Sequence, residues 1–280
     1  MNAAEPLKAS DLERFCDYLY QRTGMTYGES KRYYIERRVA DRMRATGEAR
    51  FGDYFARLRS EPAELEAMIN AFTVNETYFY REDHQLRCLS RSILPAVAAT
   101  KGPGDKIRIW SLPCSTGEEP YSIAIWLLEN WPMVDAYNVE IVGSDIDTEA
   151  LEAARAGRYG ERALSRLPAD VVDRYFEQAG EGDREIISDL KESVLFSPAN
   201  LIEGSTLSGH GQFEVIFCRN VLIYFDDAAR ARAIDNLFTA LKPGGYICLG
   251  HTESMSRITD RFRACRFPDA VVYQRPEAPS

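Results

Sequence analysis

A strand, a turn of small residues and a helix follow one another over residues 107–128, and this order constrains the fold more than any other feature. Residues 107–110 are apolar and β-prone, residues 111–120 form the turn, and residues 121–128 are almost continuously apolar. A second β-prone run, residues 139–143, ends in an acidic segment. This is the layout of a nucleotide-binding βαβ unit, in which the turn and the acid both face the ligand.

The turn after the first strand has an unusual composition for a nucleotide site. It holds one glycine, Gly117, and two glutamates, Glu118 and Glu119, instead of the G-x-G-x-x-G pattern that suits a pyrophosphate. One acid is explained by the helix N-terminus, where negative charge is favoured, but two adjacent acids suit a ligand with positive charge. S-adenosylmethionine is such a nucleoside, because it carries a sulfonium and an ammonium group.

Polar residues also follow the other predicted strands. Asp145 and Asp147 close the second strand, and we expect one to contact a ribose and the other to cap the next helix. Asn200 and Asn220 follow later strands, where an amide can bind an adenine edge or an amino acid head, although asparagine also favours turns. The segment from Arg219 lacks the Asn/Asp-Pro-Pro-aromatic pattern of enzymes that methylate base or amide nitrogens.

Composition limits the class of protein. The chain has 280 residues, 45% of them apolar, which is enough for two domains with substantial cores. No apolar run is long enough for a transmembrane helix, and the N-terminus lacks a signal-peptide pattern. Six cysteines without C-x-x-C pairs and three dispersed histidines predict reduced thiols, a cytoplasmic protein and no metal site.

The pattern of apolar residues predicts two folding units. Residues 7–72 have helical spacing throughout, with Ser10 expected as an N-cap and a helix over residues 31–45. From Lys106 onward, strands and helices alternate, which predicts an α/β fold with a mostly parallel sheet. We therefore expect an all-α domain over 1–72, a linker or lid over 73–90, and an α/β domain over 91–280 with an inserted β-subdomain over 158–192.

Charge is distributed unevenly along the chain. The net charge is −9, yet residues 31–59 hold 9 basic and 4 acidic side chains. Such a patch on an acidic protein suggests an acidic protein partner, although a solvated helix face explains the composition equally well. Residues 73–280 carry the whole negative charge, which argues against a nucleic-acid substrate.

Five motifs together resemble the CheR family of chemoreceptor glutamate methyltransferases, and their order and spacing fit nearly the whole chain. They are Asn75-Glu76-Thr77 with Arg81-Glu82, the run from Cys114 to Ser122, Asp145-Ile146-Asp147, Asn200-Leu201, and the run from Cys218 to Phe225. The resemblance implies a Rossmann-like class I S-adenosylmethionine-dependent methyltransferase domain with an inserted small β-subdomain. It also implies that a small all-α N-terminal domain precedes this domain.

The resemblance also implies roles for particular residues. Members methylate glutamate side chains on the cytoplasmic helices of chemoreceptors, giving γ-methyl esters and S-adenosylhomocysteine, and Arg81 and Tyr224 would lie nearest the transferred methyl. A basic helix of the N-terminal domain would lie on the acidic receptor, through Arg37, Arg38, Arg42 and Arg44. The implied cofactor contacts are Asn75, Thr77, Arg81, Glu118, Asp145, Asn200, Leu201, Arg219 and Asn220.

One departure from the family pattern concerns the inserted lobe. Residues 178–185 form a shorter loop than in members that dock on a receptor's C-terminal pentapeptide, so we expect no pentapeptide tether. We also expect a monomer that does not insert into membranes. Two other functions fit the same sequence: a cofactor-binding interaction module without turnover, and a methyltransferase of the same fold acting on nucleic acid or small molecules.

Overall fold

The computed structural model describes residues 7–277, apart from the side chain of Glu29. Within this range no helix combines the length and the apolar character that crossing a bilayer would require. Within the same range, the part of the chain up to Phe72 is built of helices joined by short connections. Its helices are α1 Ala9–Thr23, α2 Arg32–Thr46, α3 Phe51–Ser60 and α4 Pro62–Phe72.

These four helices pack around an apolar cluster that includes Phe15, Tyr54 and Phe72. The helix predicted over residues 31–45 is confirmed as α2 to within one residue at each end. The prediction that Ser10 caps α1 is wrong, because the helix already begins at Ala9. The carbonyl of Lys8 accepts the N–H groups of Asp11 and Leu12, so backbone alone forms the first turn.

A further helical stretch leads from the α-helical part to the sheet. It comprises α5 Asp83–Cys88, a π-helical turn over Leu89–Ile93, and α6 Leu94–Ala98. The strands that follow are β1 Lys106–Ser111, β2 Asn138–Asp145, β3 Arg158–Gly160, β4 Phe176–Gln178, β5 Asp183–Ile186, β6 Val194–Pro198, β7 Phe213–Cys218, β8 Leu241–Leu249, β9 Arg263–Arg266 and β10 Val271–Gln274.

Seven of these strands form one twisted sheet in the order β6-β2-β1-β7-β8-β10-β9. The first five run parallel, and β10 is antiparallel to both β8 and β9. In the register, Ser111 pairs with Gly143 on one side and with Phe217 on the other. The carboxyl ends of β1, β2 and β7 therefore lie side by side, which is where ligands bind in sheets of this kind.

Helices cover both faces of the sheet, and successive side chains of a strand enter different cores. Ile109 belongs to the apolar cluster on one face and Trp110 to the cluster on the other. The predicted α/β class is thereby confirmed. The helices in this part of the chain are α7 Glu118–Asn130, α8 Thr148–Ala156, α9 Glu161–Leu164, α10 Ala169–Tyr175, α11 Ser188–Glu192, α12 Gly204–Ser208 and α13 Asp227–Ala240.

The remaining strands form a small separate sheet in the order β3-β5-β4, with antiparallel pairing. This sheet interrupts the βα alternation, as the glycines and the change of rhythm predicted. Gly180 and Gly182 both have positive φ angles, of 111° and 84°, and they form the turn between β4 and β5. The sheet of this lobe therefore consists of the β4–β5 hairpin and the added strand β3.

Candidate functional site

A cavity of about 330 Å³ lies at the carboxyl ends of the parallel strands. Its size is in the range of about 300–1,000 Å³ that is usual for small-molecule sites. Cys114, Asp145 and Arg219 contribute to its wall from the ends of β1, β2 and β7. Residues 73–78 with Arg81 form another side, and Met25 of the helical part completes it.

The turn after β1 is shaped by close packing. Gly117 has φ of 94°, and a Cβ there would lie 2.9 Å from the Cβ of Ala154, so only glycine fits between the turn and α8. Ser115 directs its N–H to the carboxylate of Asp145, with a distance of 2.7 Å between N and Oδ2. The turn thus fixes the acid that closes β2.

Asp145 and Asp147 differ in their surroundings, and this decides which of the two caps the next helix. Asp147 is the N-cap of α8, and its Oδ1 accepts the N–H of Ala150 at 2.9 Å. Asp145 is buried on the cavity wall. Burial raises the pKa of Asp145 to about 6, although the N–H groups of Asp147 and Ser115 oppose that shift. The group is therefore an ionised acceptor at neutral pH.

The segment before α5 is held against the βαβ unit by side-chain hydrogen bonds. The amide of Asn75 donates to Asp147 at 2.7 Å and accepts from the hydroxyl of Ser115 at 2.9 Å. Thr77 lines the cavity further along the same segment. The guanidinium of Arg81 donates to the carbonyl of Glu76 and stays partly exposed. This segment covers one side of the cavity.

Arg219 lies in the floor of the cavity with its side chain only 3% exposed. It forms ion pairs with Glu119 at 2.7 Å and Glu82 at 3.2 Å, and it donates to the carbonyl of Arg81 at 2.9 Å. Its Nε is buried and has no hydrogen-bond partner among residues 7–277. A buried charged donor without a partner is costly, so this atom fits a bound ligand that carries an acceptor.

Three of the expected cofactor contacts lie away from the cavity wall. Glu118 is buried, accepts from the hydroxyl of Thr116 at 2.6 Å, and has a pKa raised by that burial. Asn200 donates to the carbonyl of Arg22 at 2.7 Å, and Leu201 packs in an apolar cluster. Their part in cofactor binding stays a prediction.

Some residues that line the cavity were not predicted from sequence. Glu119, rather than Glu118, faces it, because successive residues of a helix point about 100° apart. Met25 and His251 reach it from distant parts of the chain. The adjacent glutamates after the first strand are a sequence pattern that points to Glu119, whereas no local pattern marks Met25 or His251.

Tyr224 follows β7 and lies at the rim of the cavity, where it is 37% exposed. Its carbonyl accepts the backbone N–H of Thr26 at 3.0 Å, which ties it to the helical part. Partial burial and the nearby Glu76 raise the pKa of Tyr224, and Arg81 opposes the shift. The structure therefore places Arg81 and Tyr224 at the same cavity, and their nearness to a transferred methyl group stays a prediction.

Backbone strain is concentrated around this cavity. In the described part of the chain, residues other than glycine with positive φ are Tyr80, Glu82, Ser115 and Asn220, with φ of 57°, 55°, 50° and 60°. They lie in the segment before α5, in the turn after β1 and in the loop after β7. Non-glycine residues in this region cost on the order of 1–3 kcal/mol each and cluster at functional sites.

The four α2 arginines that were expected to bind the receptor fall into two groups. Arg42 forms a two-bond ion pair with the buried Glu64, at 2.6 and 3.0 Å, and Arg38 lies 3.6 Å from the ring centroid of Tyr34. Arg44 is exposed and pairs only with Asp41 one turn away, and Arg37 is exposed with no ion pair among the described residues. Of these four, Arg37 and Arg44 can therefore bind a partner without disturbing a buried contact, and Arg44 would give up only its exposed pair with Asp41.

Comparison with known protein families assigns both parts of the chain. The all-alpha domain of CheR methyltransferases matches residues 10–73, and the SAM binding domain of CheR methyltransferases matches residues 75–271. The chain belongs to the CheR methyltransferase family. This CheR protein is therefore an S-adenosylmethionine-dependent methyltransferase of the chemotaxis type, and the family resemblance predicted from the motifs is confirmed.

Relatives of this CheR protein match it over nearly its whole length. Chemotaxis protein methyltransferase 2 of Vibrio cholerae is 44% identical over 269 residues, which are 95% of this chain and 93% of the relative. The chemotaxis protein methyltransferase of Klebsiella aerogenes is 38% identical, over 92% of this chain and 87% of the relative. That of Vibrio parahaemolyticus is 35% identical, over 93% and 94% respectively.

The cavity of this CheR protein fits S-adenosylmethionine in its chemistry. Asp145 offers a buried carboxylate at the end of β2, where a ribose hydroxyl pair binds in such sheets. Glu119 and Glu82 together outnumber Arg219, so the group they form carries one net negative charge, which suits an ammonium or sulfonium. The unpartnered Nε of Arg219 suits the carboxylate of an amino acid.

Proposed function

We propose that this protein transfers a methyl group from S-adenosylmethionine to the side-chain carboxylate of glutamates in the cytoplasmic helices of chemoreceptors. The products are the glutamate γ-methyl ester and S-adenosylhomocysteine. The observation that carries this proposal is the placement of Arg81 and Tyr224 at the cavity, both partly exposed. A guanidinium and a phenol at the rim can hold an incoming carboxylate by charge and by hydrogen bonding.

The chemistry makes few demands on the protein. When bound, S-adenosylmethionine would supply an electrophilic methyl group on its sulfonium; a carboxylate oxygen of the substrate would attack that methyl carbon, and S-adenosylhomocysteine would leave. A glutamate carboxylate is already ionised at neutral pH, so no general base is needed. The residues of the chain therefore act by orienting the carboxylate, an effect that can amount to about 7–11 kcal/mol. We assign this orientation to Arg81 and Tyr224.

For the cofactor, we propose contacts from each segment around the cavity. Asp145 accepts from the ribose, Asn75 and Thr77 cover the site, and Arg219 and Asn220 form its floor. These residues all line the cavity, which supports the assignment. Arg81, which lines the cavity, and Glu118, Asn200 and Leu201, which lie outside its wall, complete the expected set. We add Glu119 to the set because it lines the cavity.

We also propose that α2 lies on the receptor. Its exposed arginines, Arg37 and Arg44, would meet acidic side chains of the receptor helices, whereas Arg38 and Arg42 would hold α2 in place. In this proposed division, residues 1–72 form the all-α domain that docks, 73–90 a linker or lid, and 91–280 the methyltransferase domain with its inserted β-subdomain over 158–192.

The inserted lobe leads us to propose that no pentapeptide tether is used. The turn between β4 and β5 spans only residues 179–182 and offers little surface for a peptide. Titration of the protein with receptor C-terminal pentapeptides in a calorimeter tests this point. We expect no heat of binding, and micromolar affinity would overturn the proposal.

The methyl transfer itself is tested with radiolabelled S-adenosylmethionine and isolated chemoreceptor cytoplasmic fragments, followed by alkali treatment. We expect label on the receptor that is released by base, as a glutamyl methyl ester must be. Fragments with the target glutamates replaced by alanine serve as the control. Cofactor binding without transfer to any receptor fragment would instead indicate a binding module or a substrate outside chemosensing.

A further inference from the structure

The carboxylate of Glu253 makes an unusual set of contacts below the cavity. Its Oε2 accepts the N–H groups of Asn220 at 2.9 Å and Gly250 at 2.8 Å. Its Oε1 accepts the N–H groups of Val221 at 3.1 Å and Leu222 at 2.8 Å. One side chain thus binds four backbone donors, three of which belong to the loop that leads from β7 to Tyr224.

The loop has no regular structure of its own to hold it before Leu222. β7 ends at Cys218, and a short 3-10 turn, Leu222–Tyr224, follows only after Asn220 and Val221. Asn220 has φ of 60°, a conformation that L-residues rarely adopt. Consecutive N–H groups around such a residue converge on one point, and an anion at that point holds them there.

The fold brings Glu253 to this point through a tight turn at the end of β8. β7 and β8 are parallel neighbours, with Cys218 beside Leu249, so the segments after them start side by side. Glu253 then turns back, its N–H donating to the carbonyl of Gly250 at 2.9 Å. A Cβ at Gly250 would lie 2.9 Å from the N of Asn220, so glycine is required for this approach.

We infer that Glu253 is a positioning residue for methyl transfer, which holds the loop of residues 219–224 in the conformation that places Asn220 and Tyr224 at the cavity. The inference rests on the proposed function, since it assigns Tyr224 a role beside the methyl group. Glu253 acts through the backbone of the loop, because its carboxylate oxygens are directed to the four N–H groups.

The substitution Glu253→Gln separates this role from simple packing. Glutamine keeps the size of the side chain but replaces one oxygen with an NH₂ group, which faces two N–H donors and cannot accept from them. We expect kcat for receptor methylation to fall at least tenfold, with residues 219–225 exchanging backbone hydrogen faster than in the wild type. Asp227→Asn is the matched control, because Asp227 is fully exposed nearby and pairs only with Arg230.

The readouts distinguish the possible outcomes. A kcat within twofold of the wild type would overturn the inference, as would faster exchange spread evenly over the chain, which indicates general destabilisation. If Glu253→Gln does not fold, Glu253→Asp is measured in the same way.

A second test combines each variant with Tyr224→Phe: the two losses in kcat should be less than multiplicative, and multiplicative losses would contradict action through the loop. A wild-type protein that fails to methylate any receptor fragment would reject the proposed function instead.

Discussion

The backbone N–H of Thr26 donates to the carbonyl oxygen of Tyr224 over 3.0 Å, which joins the helical part of the chain to the rim of the cavity. The hydroxyl of Thr26 reaches the same oxygen at 3.2 Å, and Met25 beside it forms a bridge with Phe225. The segment between α1 and α2 therefore adds a short strand-like contact to the loop after β7. The helical part helps to build the site, in addition to any part it has in docking.

This contact predicts an effect of Thr26 on turnover. Thr26→Pro removes the N–H donor, and a hydrogen bond of this kind contributes about 0.5–1.5 kcal/mol, so we expect kcat to fall about twofold to tenfold. Thr26→Val removes only the hydroxyl and should have a smaller effect. Steady-state methylation of a receptor fragment measures both, and equal loss in the two variants would argue against the backbone contact.

The acidity of Asp145 predicts how cofactor binding depends on pH. Its pKa in the free protein is about 6, so the carboxylate is ionised at neutral pH and protonated progressively below that value. A ribose hydroxyl pair prefers the ionised acceptor, so we expect affinity for S-adenosylmethionine to fall about threefold to fivefold from about pH 7.5 to about pH 5.5. Calorimetry at several pH values measures this change.

The same group has an opposite effect on folding. Because the pKa of Asp145 is raised above its usual value of 3.8, the ionised carboxylate destabilises the ligand-free fold at neutral pH. This penalty is complete above about pH 6, shrinks progressively as the pH falls below that value, and is gone only below the usual pKa of 3.8. Asp145→Asn should make both the affinity for the cofactor and the free energy of unfolding less dependent on pH. It should also lower the affinity for the cofactor by a factor on the order of tens, since a hydrogen bond to a charged acceptor is lost. Unchanged affinity in this variant would contradict the ribose assignment.

Arg81 should affect turnover much more than cofactor affinity. We expect Arg81→Ala to lower kcat at least tenfold while the dissociation constant for S-adenosylmethionine changes by less than about threefold, because Arg81 is assigned to the incoming carboxylate. Arg91→Ala provides the control, since Arg91 is an exposed arginine that lies outside the cavity lining. Equal losses in turnover and affinity would make Arg81 a cofactor-binding residue.

The arginines of α2 should separate into docking and stabilising residues. Arg42→Ala removes the cation beside the carboxylate of Glu64, which is 5% exposed, and leaves it only the hydroxyl of Tyr54, so we expect a loss of about 2–3 kcal/mol in the free energy of unfolding. Arg44→Ala should leave stability unchanged within about 0.5 kcal/mol, because its pair with Asp41 is exposed. Urea unfolding compares the two.

Docking is measured with the exposed pair instead. Replacing Arg37 and Arg44 together with glutamate should raise KM for the receptor fragment, and the difference from the wild type should shrink at high salt. The value of KM for S-adenosylmethionine should not change. A normal KM for the receptor in this variant would indicate that docking uses another surface.

The fold could be predicted largely because its elements have local signals. Residues close together in sequence determine the strand–turn–helix order over 107–128, and also the acids after the second strand. The structure confirms the strand of this order as β1 and the helix as α7. The interruption by Pro168, Gly180 and Gly182 likewise marks the inserted sheet. These features are periodicity and turn chemistry, which a single sequence carries.

The parts that could not be predicted are contacts between distant segments. Glu253 reaches the loop after β7 only because β7 and β8 are neighbours in the sheet, and no spacing in the sequence encodes that pairing. The position of Met25 at the cavity depends on how the helical part packs. Which of Glu118 and Glu119 faces the cavity depends on the rotation of α7 about its axis. That rotation follows from where the helix begins, and helix ends are assigned only to within one or two residues.

The four left-handed residues around the cavity connect folding with activity. Glycine adopts their backbone angles without strain, so glycine at Ser115 or Glu82 would relieve a local cost of the folded state. Those same side chains bind Asn75 and Arg219, which shape the site. Selection on the site therefore opposes glycine at positions where backbone geometry alone would favour it, because glycine in place of Glu82 would leave the buried Arg219 with one carboxylate fewer.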